Sequence, residues 1–170
     1  MLQCYTGDGK GKTTASLGLA VRAVGHNKRV KIFQFMKGQI NYGELKSLKK
    51  LSPNIEIEQC GRKEFVNKEN PEKIDIELAK NCWEKAKKVI LGKKFDIVIL
   101  DELNVALDFK LLPKEEVIDF LKKYKNNLEI VVTGRYAPEE IIEISDLVTE
   151  MKEIKHYYQS GINEREGIEY

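Results

Sequence analysis

The sequence predicts an α/β protein with a parallel sheet, and three observations support this prediction. Six short apolar runs are rich in β-branched residues, as the buried strands of parallel sheets are. Stretches with a helical apolar period separate successive runs. Two of these stretches open on a proline, Pro113 and Pro138, which suits the first turn of a helix. Strands that alternate with helices build a parallel sheet with right-handed crossovers.

Each element follows from a local pattern. The apolar runs place strands, in chain order, at Leu2–Tyr5, Val30–Phe35, Ile55–Glu58, Ile97–Leu100, Ile130–Thr133 and Leu147–Met151. Helices are predicted between them, at Thr13–Val24, Glu44–Leu51, Ile74–Leu91, Pro113–Lys123 and Pro138–Ile144. The first helix has an apolar stripe through Leu17 and Val21, and the third has one through Leu78 and Ala86. Trp83 falls in the third helix, where we expect it in the core.

Composition indicates a single soluble domain over residues 1–170, because 42% hydrophobic and 33% charged residues are ordinary globular values. The formal net charge of +2 argues neither for nor against an anionic partner. No long basic block suggests a nucleic-acid tail, and we expect no nucleic-acid partner. No apolar run reaches membrane-spanning length, and the chain start has no signal-peptide pattern. The three cysteines, Cys4, Cys60 and Cys82, show no C-x-x-C spacing. We expect free thiols and a cytoplasmic location, without a disulfide or zinc framework.

The stretch CYTGDGKGKTTASLG, residues 4–18, has the pattern of a phosphate-binding loop. The generic loop reads G-x-x-x-x-G-K-[ST], and here Thr6 replaces its first glycine. Glycines let successive N–H groups point at anionic oxygens, and the following helix adds its positive N-terminal end. Lys12 is expected to reach phosphate oxygens, and the Thr13 hydroxyl to ligate magnesium.

Two further strand ends carry polar residues that suit a nucleotide site. The stretch FDIVILDELNVAL places Asp101 and Glu102 at the tip of a buried strand, where such folds hold magnesium. Alternatively, the two carboxylates only end the strand. The stretch VVTGRYAPEE places Arg135 after the next strand, where it would meet a phosphate bidentately or pair with a surface carboxylate.

Three other segments are candidates to line a substrate site. The loops Phe35–Glu44 and Cys60–Lys73 both follow strand ends, which is where ligands of open α/β sheets bind. The second loop has the alternative interpretation of a solvated charged loop. The polar, aromatic tail after Met151 is either a flexible end or packs elsewhere on the protein.

These motifs indicate a nucleoside triphosphate with magnesium but do not select a reaction. Glu102 follows the strand-end aspartate, as the water-polarising glutamate of hydrolytic nucleotidases often does, so an ATPase or nucleotide switch is one reading. A nucleotide-binding regulatory protein is another. A kinase would need an acceptor site, and a RecA-like DNA machine would need a basic, aromatic stripe. The sequence shows neither of these features.

The sequence resembles the ATP:cob(I)alamin (corrinoid) adenosyltransferases of the CobA/BtuR/CobO type along nearly its whole length. Five stretches carry the resemblance: YTGDGKGKTTASLGLAVRAVGH, FQFMKGQINYGE, VILDELNVAL, VVTGRYAP and KHYYQSGINEREGIEY. It implies a P-loop, RecA-like three-layer fold with a mostly parallel six-stranded sheet. It also implies a reaction in which reduced cobalt(I) attacks the 5′ carbon of ATP. Triphosphate then leaves whole, so the loop stabilises a leaving group.

The resemblance also implies roles for individual residues. Lys12, Arg135 and Lys10 would neutralise the charge that grows on the triphosphate. Thr13 and Glu102 would ligate Mg²⁺, with Asp101 close by. The residues expected around the phosphates are Thr6, Gly7, Asp8, Gly9, Lys10, Gly11, Lys12, Thr13 and Thr14. Those expected elsewhere around the nucleotide are Arg22, Lys37 and Asn104.

For the corrinoid, the resemblance implies an aromatic loop after the third strand that crowds the lower corrin face. This chain has Phe65 alone there, where family examples have a Phe-x-Trp pair. Larger members carry an N-terminal helix that covers the corrinoid of a partner subunit. Because this sequence starts directly at a strand, we expect that cover to be missing. A homodimer and a reductase partner such as a flavoprotein are further expectations.

Overall fold

The structure, a computed structural model, describes residues 1–38, 42–51 and 53–169. Its centre is one six-stranded sheet formed by β1 (Leu2–Thr6), β2 (Val30–Phe35), β3 (Ile55–Cys60), β4 (Ile97–Asp101), β5 (Glu129–Thr133) and β6 (Leu147–Glu150). The strand order is β3-β2-β4-β5-β1-β6, and every neighbouring pair runs parallel. All six strands were predicted within two residues of their bounds. The expected α/β fold with a parallel sheet is therefore confirmed.

Helices connect the strands as the alternation predicts. They are α1 (Lys12–Val24), α2 (Gly43–Lys49), α3 (Lys73–Gly92), α4 (Leu103–Asp108), α5 (Lys114–Tyr124) and α6 (Glu139–Ile144), and a 3₁₀ turn follows at Tyr157–Ser160. The short α4 was not predicted, because it starts directly after β4 without a helix-start signal. Within the described ranges, no helix is both long and apolar enough to cross a bilayer.

Two apolar clusters cover the two faces of the sheet, which makes three layers. Successive strand residues point to opposite faces, so Val98 and Leu100 pack with α3 to α6 while Ile97 and Ile99 pack with α1 and α2. Trp83 is 1% exposed in the larger cluster, and its indole N–H donates to Glu116. Its predicted place in the core is confirmed.

The prediction that all three cysteines are free thiols is wrong. Cys60, at the end of β3, is joined by a disulfide to Cys82 on α3, and Cys4 is the free, buried one. Helix α3 crosses the sheet so that the two Cα atoms lie 5.7 Å apart, within the range that a disulfide spans. A sequence separation of 22 between these cysteines is not a recognisable spacing, so the pairing was not readable from the sequence. Cysteine usage therefore no longer supports a reducing compartment.

Candidate nucleotide site

A cleft of about 1190 Å³ lies at the carboxyl ends of the strands, where open α/β sheets bind ligands. It brings together many of the residues that the sequence singled out. The predicted residues that line it are Gly9, Lys10, Gly11, Lys12, Thr13, Thr14, Lys37, Glu102 and Arg135. The cleft is larger than the roughly 300–1,000 Å³ usual for small-molecule pockets, which leaves room for more than a nucleotide.

The phosphate loop wraps around the Lys12 ammonium group. Lys12 Nζ donates to the carbonyl oxygens of Gly7, at 2.6 Å, and Gly9, at 2.7 Å. Burial and the nearby charge of Arg135 lower the pKa of Lys12. A bound polyphosphate would place negative charge beside the Lys12 ammonium and offset the effect of burial, so the loop suits an anion.

The loop glycines also pack against the segment that follows β6. A Cβ on Gly7 would lie 2.5 Å from the carbonyl oxygen of Met151, and one on Gly9 would lie 2.8 Å from Lys152 backbone. The Gly9 N–H donates to the Met151 carbonyl at 2.6 Å. Sequence reasoning assigned these glycines to phosphate binding alone, because their neighbour lies more than 140 residues away along the chain.

Asp101 joins the ends of several elements through its buried carboxylate, which is 1% exposed. Its Oδ1 accepts hydrogen bonds from the hydroxyls of Thr13, at 2.8 Å, and Thr133, at 2.7 Å. Its Oδ2 accepts from Lys37 Nζ at 2.9 Å and from the Gln34 amide at 3.3 Å. Asp101 therefore positions the hydroxyl of Thr13, and it is fully occupied by protein donors.

Glu102 faces the cleft from a left-handed backbone conformation, with φ at 62°. Its N–H donates to the Thr133 hydroxyl at 3.1 Å, which holds this turn in place. Burial raises the pKa of Glu102, and the neighbouring Asp101 carboxylate raises it further. Both effects disfavour the ionised form of Glu102, and a bound cation would favour it.

The oxygen atoms of Thr13 and Glu102 fit Mg²⁺, which prefers oxygen ligands and keeps several waters. Among the described residues, no group of three or more His, Cys, Asp or Glu side chains could hold a metal ion. A cation here would therefore take most of its ligands from phosphates and water, as magnesium bound to a nucleotide does.

Replacing Glu102 with glutamine should stabilise the ligand-free protein at pH 7, by on the order of 1 kcal/mol. Because the pKa of Glu102 is raised in the folded protein, proton binding favours folding below the ordinary glutamate pKa of about 4.3. That contribution is lost as the pH rises through the folded-state pKa. Urea unfolding across pH should show the Glu102→Gln advantage shrinking as the pH falls. The exposed Glu77→Gln serves as a control, and an equal change there would refute the expectation.

Several predicted residues lie outside the cleft lining. Asn104 is fully buried, and its amide donates to the Gly134 carbonyl at 3.3 Å, so it supports the turn before Arg135. Arg22 is in the last turn of α1, about 15 Å along the helix from Lys12, and the structure does not bring it to the site.

The loop residues Thr6, Gly7 and Asp8 do not line the cleft either. Thr6 ends β1, and its hydroxyl accepts a 3.4 Å hydrogen bond from the Ala137 N–H. Gly7 supplies one of the carbonyls that hold Lys12. Asp8 follows it on the exposed side of the loop. Thr6 and Gly7 therefore support the phosphate loop through their contacts, and Asp8 is exposed to solvent.

Phe65 is 99% exposed on the loop after β3 and does not line the cleft. The loop is anchored at its base, where Arg62 pairs with Asp75 at 2.7 Å and with Glu72 at 2.6 Å. The other predicted loop, Phe35–Glu44, contributes Lys37 and Tyr42 to the cleft, and its residues 39–41 lie outside the described ranges.

The tail packs on the site, as its aromatic residues suggested, and this is the largest part of the site that motif reading missed. The tail residues that line the cleft include Glu153, His156, Tyr157, Tyr158, Gln159, Ile162 and Glu169. Their aromatic character was the one available signal. Tyr170 lies outside the described residues.

Comparisons with known proteins agree with this geometry. A family model described as ATP:corrinoid adenosyltransferase BtuR/CobO/CobP matches residues 1–170. A corrinoid adenosyltransferase from Sinorhizobium sp is 37% identical over 166 residues, which cover 97% of this chain and 78% of that protein. One from Escherichia coli (strain K12) is 34% identical over 166 residues, covering 98% and 83%.

One solved structure shares the fold of this chain at low sequence identity. The crystal structure of the flagellar accessory protein FlaH from Methanocaldococcus jannaschii superposes with a TM-score of 0.58 at 13% identity, over 88% of this chain and 69% of that one. At that identity the likeness concerns the P-loop, RecA-like fold alone. The whole-length family match is the more specific result, and by it the chain belongs to the ATP:corrinoid adenosyltransferase BtuR/CobO/CobP family.

Proposed function

We propose that this protein transfers the 5′-deoxyadenosyl group of ATP to the cobalt of a reduced corrinoid and releases triphosphate. The observation that carries the proposal is the family match over the whole chain. The cleft supports it, because a phosphate loop forms one side of a space larger than a nucleotide needs.

The reaction needs no nucleophile from the protein. The electron pair of cobalt(I) forms the cobalt–carbon bond. The bond from C5′ to the triphosphate oxygen breaks, and triphosphate leaves with the electron pair of that broken carbon–oxygen bond. Cobalt is formally oxidised to cobalt(III), and no proton moves at carbon. The task of the protein is to hold the two substrates in line and to stabilise the charge on the leaving oxygen.

Several groups of the cleft suit the stabilisation of that charge. Lys12 and Arg135 bring positive charge to the cleft, and the N-terminal end of α1 adds its dipole. Thr13 and Glu102 would hold Mg²⁺, which supplies further positive charge to the triphosphate when it is bound. Asp101 contributes indirectly, since it fixes the Thr13 hydroxyl at 2.8 Å.

An anaerobic assay tests the proposal. The protein is mixed with Mg-ATP and chemically reduced cob(I)alamin, and the visible spectrum is followed while phosphate products are assayed. We expect a light-sensitive adenosylcobalamin spectrum with stoichiometric triphosphate. ADP with an unchanged corrinoid spectrum would overturn the proposal and make Glu102 the suspected water-polarising group of an ATPase. Tight ATP binding without turnover would instead point to a regulatory protein.

The wider setting follows from the same proposal. We infer a homodimer that receives electrons for the corrinoid from a reductase such as a flavoprotein. We also infer a cytoplasmic location, which is supported by the family match and not by cysteine usage. Phe65, on the loop after β3, is 99% exposed and therefore accessible to a partner or to the corrinoid.

Replacing Phe65 with alanine should slow adenosylation of cob(II)alamin under a reductant more than that of pre-reduced cob(I)alamin, by roughly tenfold. An aromatic side chain on the lower corrin face would help expel the lower ligand, and only the cob(II) reaction needs that step. Parallel assays with the two corrinoids measure the difference. Lys63→Ala on the same exposed loop is a matched control. Equal slowing of both reactions would remove Phe65 from this role.

A further inference from the structure

The C-terminal segment, residues 151–169, is attached to the phosphate loop at both of its ends. At its start, the Met151 carbonyl accepts a hydrogen bond from the Gly9 N–H at 2.6 Å, and the Met151 N–H donates to the Thr6 carbonyl at 2.8 Å. At its end, Glu169 pairs with Lys10 at 2.6 Å. Between these points the segment runs along the cleft and forms one of its walls.

Every donor on the Lys10 ammonium is used by this segment. Its Nζ lies 3.1 Å from the Tyr157 hydroxyl, 2.9 Å from the Ile168 carbonyl and 2.6 Å from Glu169 Oε1. An ammonium group has three N–H donors, so none remains for a phosphate. Lys12, by contrast, uses two of its donors within the loop and keeps one.

The Glu169 carboxylate also contacts other residues of the C-terminal segment. The Arg165 backbone N–H donates to it at 2.8 Å, and the Arg165 Nε lies 3.3 Å away. The Tyr157 hydroxyl makes a short contact with the same carboxylate. The Arg165 guanidinium also stacks 4.6 Å from the centre of the Tyr157 ring. These groups form one cluster around Lys10, and all but Lys10 come from the C-terminal segment.

We propose that Lys10 and Glu169 hold the C-terminal segment in place as a wall that closes on the bound nucleoside triphosphate. Lys10 is then a positioning residue that acts through the segment, and Lys12 is the lysine that contacts the phosphates. This inference rests on the proposed function only in taking ATP as the ligand. The interaction with ATP can be measured without any corrinoid.

The test compares Lys10→Met, Glu169→Gln and the double variant in Mg-ATP and inorganic triphosphate binding by calorimetry. We expect each single variant to weaken Mg-ATP binding by about tenfold, and the double variant to be no weaker than the worse single one. Binding of inorganic triphosphate should stay within about twofold, because Lys12 and the loop backbone that would hold it are unchanged in these variants. Glu166→Gln, an exposed tail carboxylate without a hydrogen bond to any described residue, is the matched control.

Limited trypsin digestion measures how well the C-terminal segment is held. Its rate would not change if Lys10 acted only through a direct contact with phosphate. Cleavage after Lys152 or Lys155 should be faster in both single variants than in the wild type. The proposal fails if Lys10→Met weakens triphosphate binding about tenfold and the same loss is seen when Glu169 is already replaced by glutamine. That result would mean that Lys10 contacts phosphate directly. It also fails if Glu169→Gln changes neither Mg-ATP binding nor cleavage. Neither failure depends on whether corrinoid is adenosylated, so the proposed function is judged separately.

Discussion

Replacing Lys12 with alanine is expected to abolish adenosyl transfer, with a loss of about 10³-fold or more in single-turnover rate. The Lys12 ammonium is enclosed by the phosphate loop, with the residue only 7% exposed and two loop carbonyls fixing its position. A preorganised charge of this kind acts on the leaving oxygen without rearranging during the reaction. Anaerobic formation of adenosylcobalamin, followed spectroscopically, measures the rate.

Two comparisons make this result interpretable. Lys122→Ala removes an exposed lysine of α5, away from the cleft, and should leave the rate unchanged. Because Lys12 also holds the loop carbonyls, circular dichroism and thermal unfolding must show that Lys12→Ala is folded. A folded Lys12→Ala protein that transfers adenosyl groups within about tenfold of the wild-type rate would refute the leaving-group role.

The largest loss of stability is expected for Gly38→Ala, at about 3 kcal/mol or more. A Cβ on Gly38 would lie 1.9 Å from the carbonyl oxygen of Gly61 and 2.7 Å from the backbone nitrogen of Arg62. Both atoms belong to backbone, so no side chain can rotate away and the two loops must separate. Urea unfolding gives the free energy directly, and the neighbouring Lys37 would lose its 2.9 Å contact with Asp101.

Gly18→Ala is the matched control, and its effect on the free energy of unfolding should have the opposite sign. Gly18 lies inside α1, and a Cβ there would meet nothing within 4 Å. Alanine in a helix interior is favoured over glycine by about 0.5–1 kcal/mol, so this variant should be slightly more stable than the wild type. Equal stability of Gly38→Ala and the wild type would mean that the two loops do not approach each other as described.

The sheet and its order of elements were predictable because buried strands and amphipathic helices leave strong local patterns. The phosphate loop and the Asp101–Glu102 pair were found for the same reason, since each occupies a short stretch with a characteristic spacing. The disulfide between Cys60 and Cys82 was not, because its formation depends on how α3 crosses the sheet. Helix α4 was missed as well, because its first turn starts at the left-handed Glu102 instead of at a capping residue.

Long-range contacts account for the rest of the site. Thr133 was part of a recognised stretch, but its bridge between Asp101 and the Glu102 N–H exists only once β4 and β5 are paired. The ion pair between Lys10 and Glu169 joins residues 159 positions apart, and no local pattern encodes such a pair. Lys10 therefore looked like a phosphate ligand from the motif, although its neighbours in space belong to the tail.

The position of β1 in the sheet has a consequence for the order of folding. The strand that leads into the phosphate loop is made first, yet its two sheet neighbours, β5 and β6, are the last strands to be made. The loop then rests on Met151, beyond β6. During synthesis the phosphate loop can therefore reach its final shape only after β5, β6 and Met151 have been made. Contacts of such sequence separation form slowly, so the nucleotide site should be among the last parts of the molecule to mature.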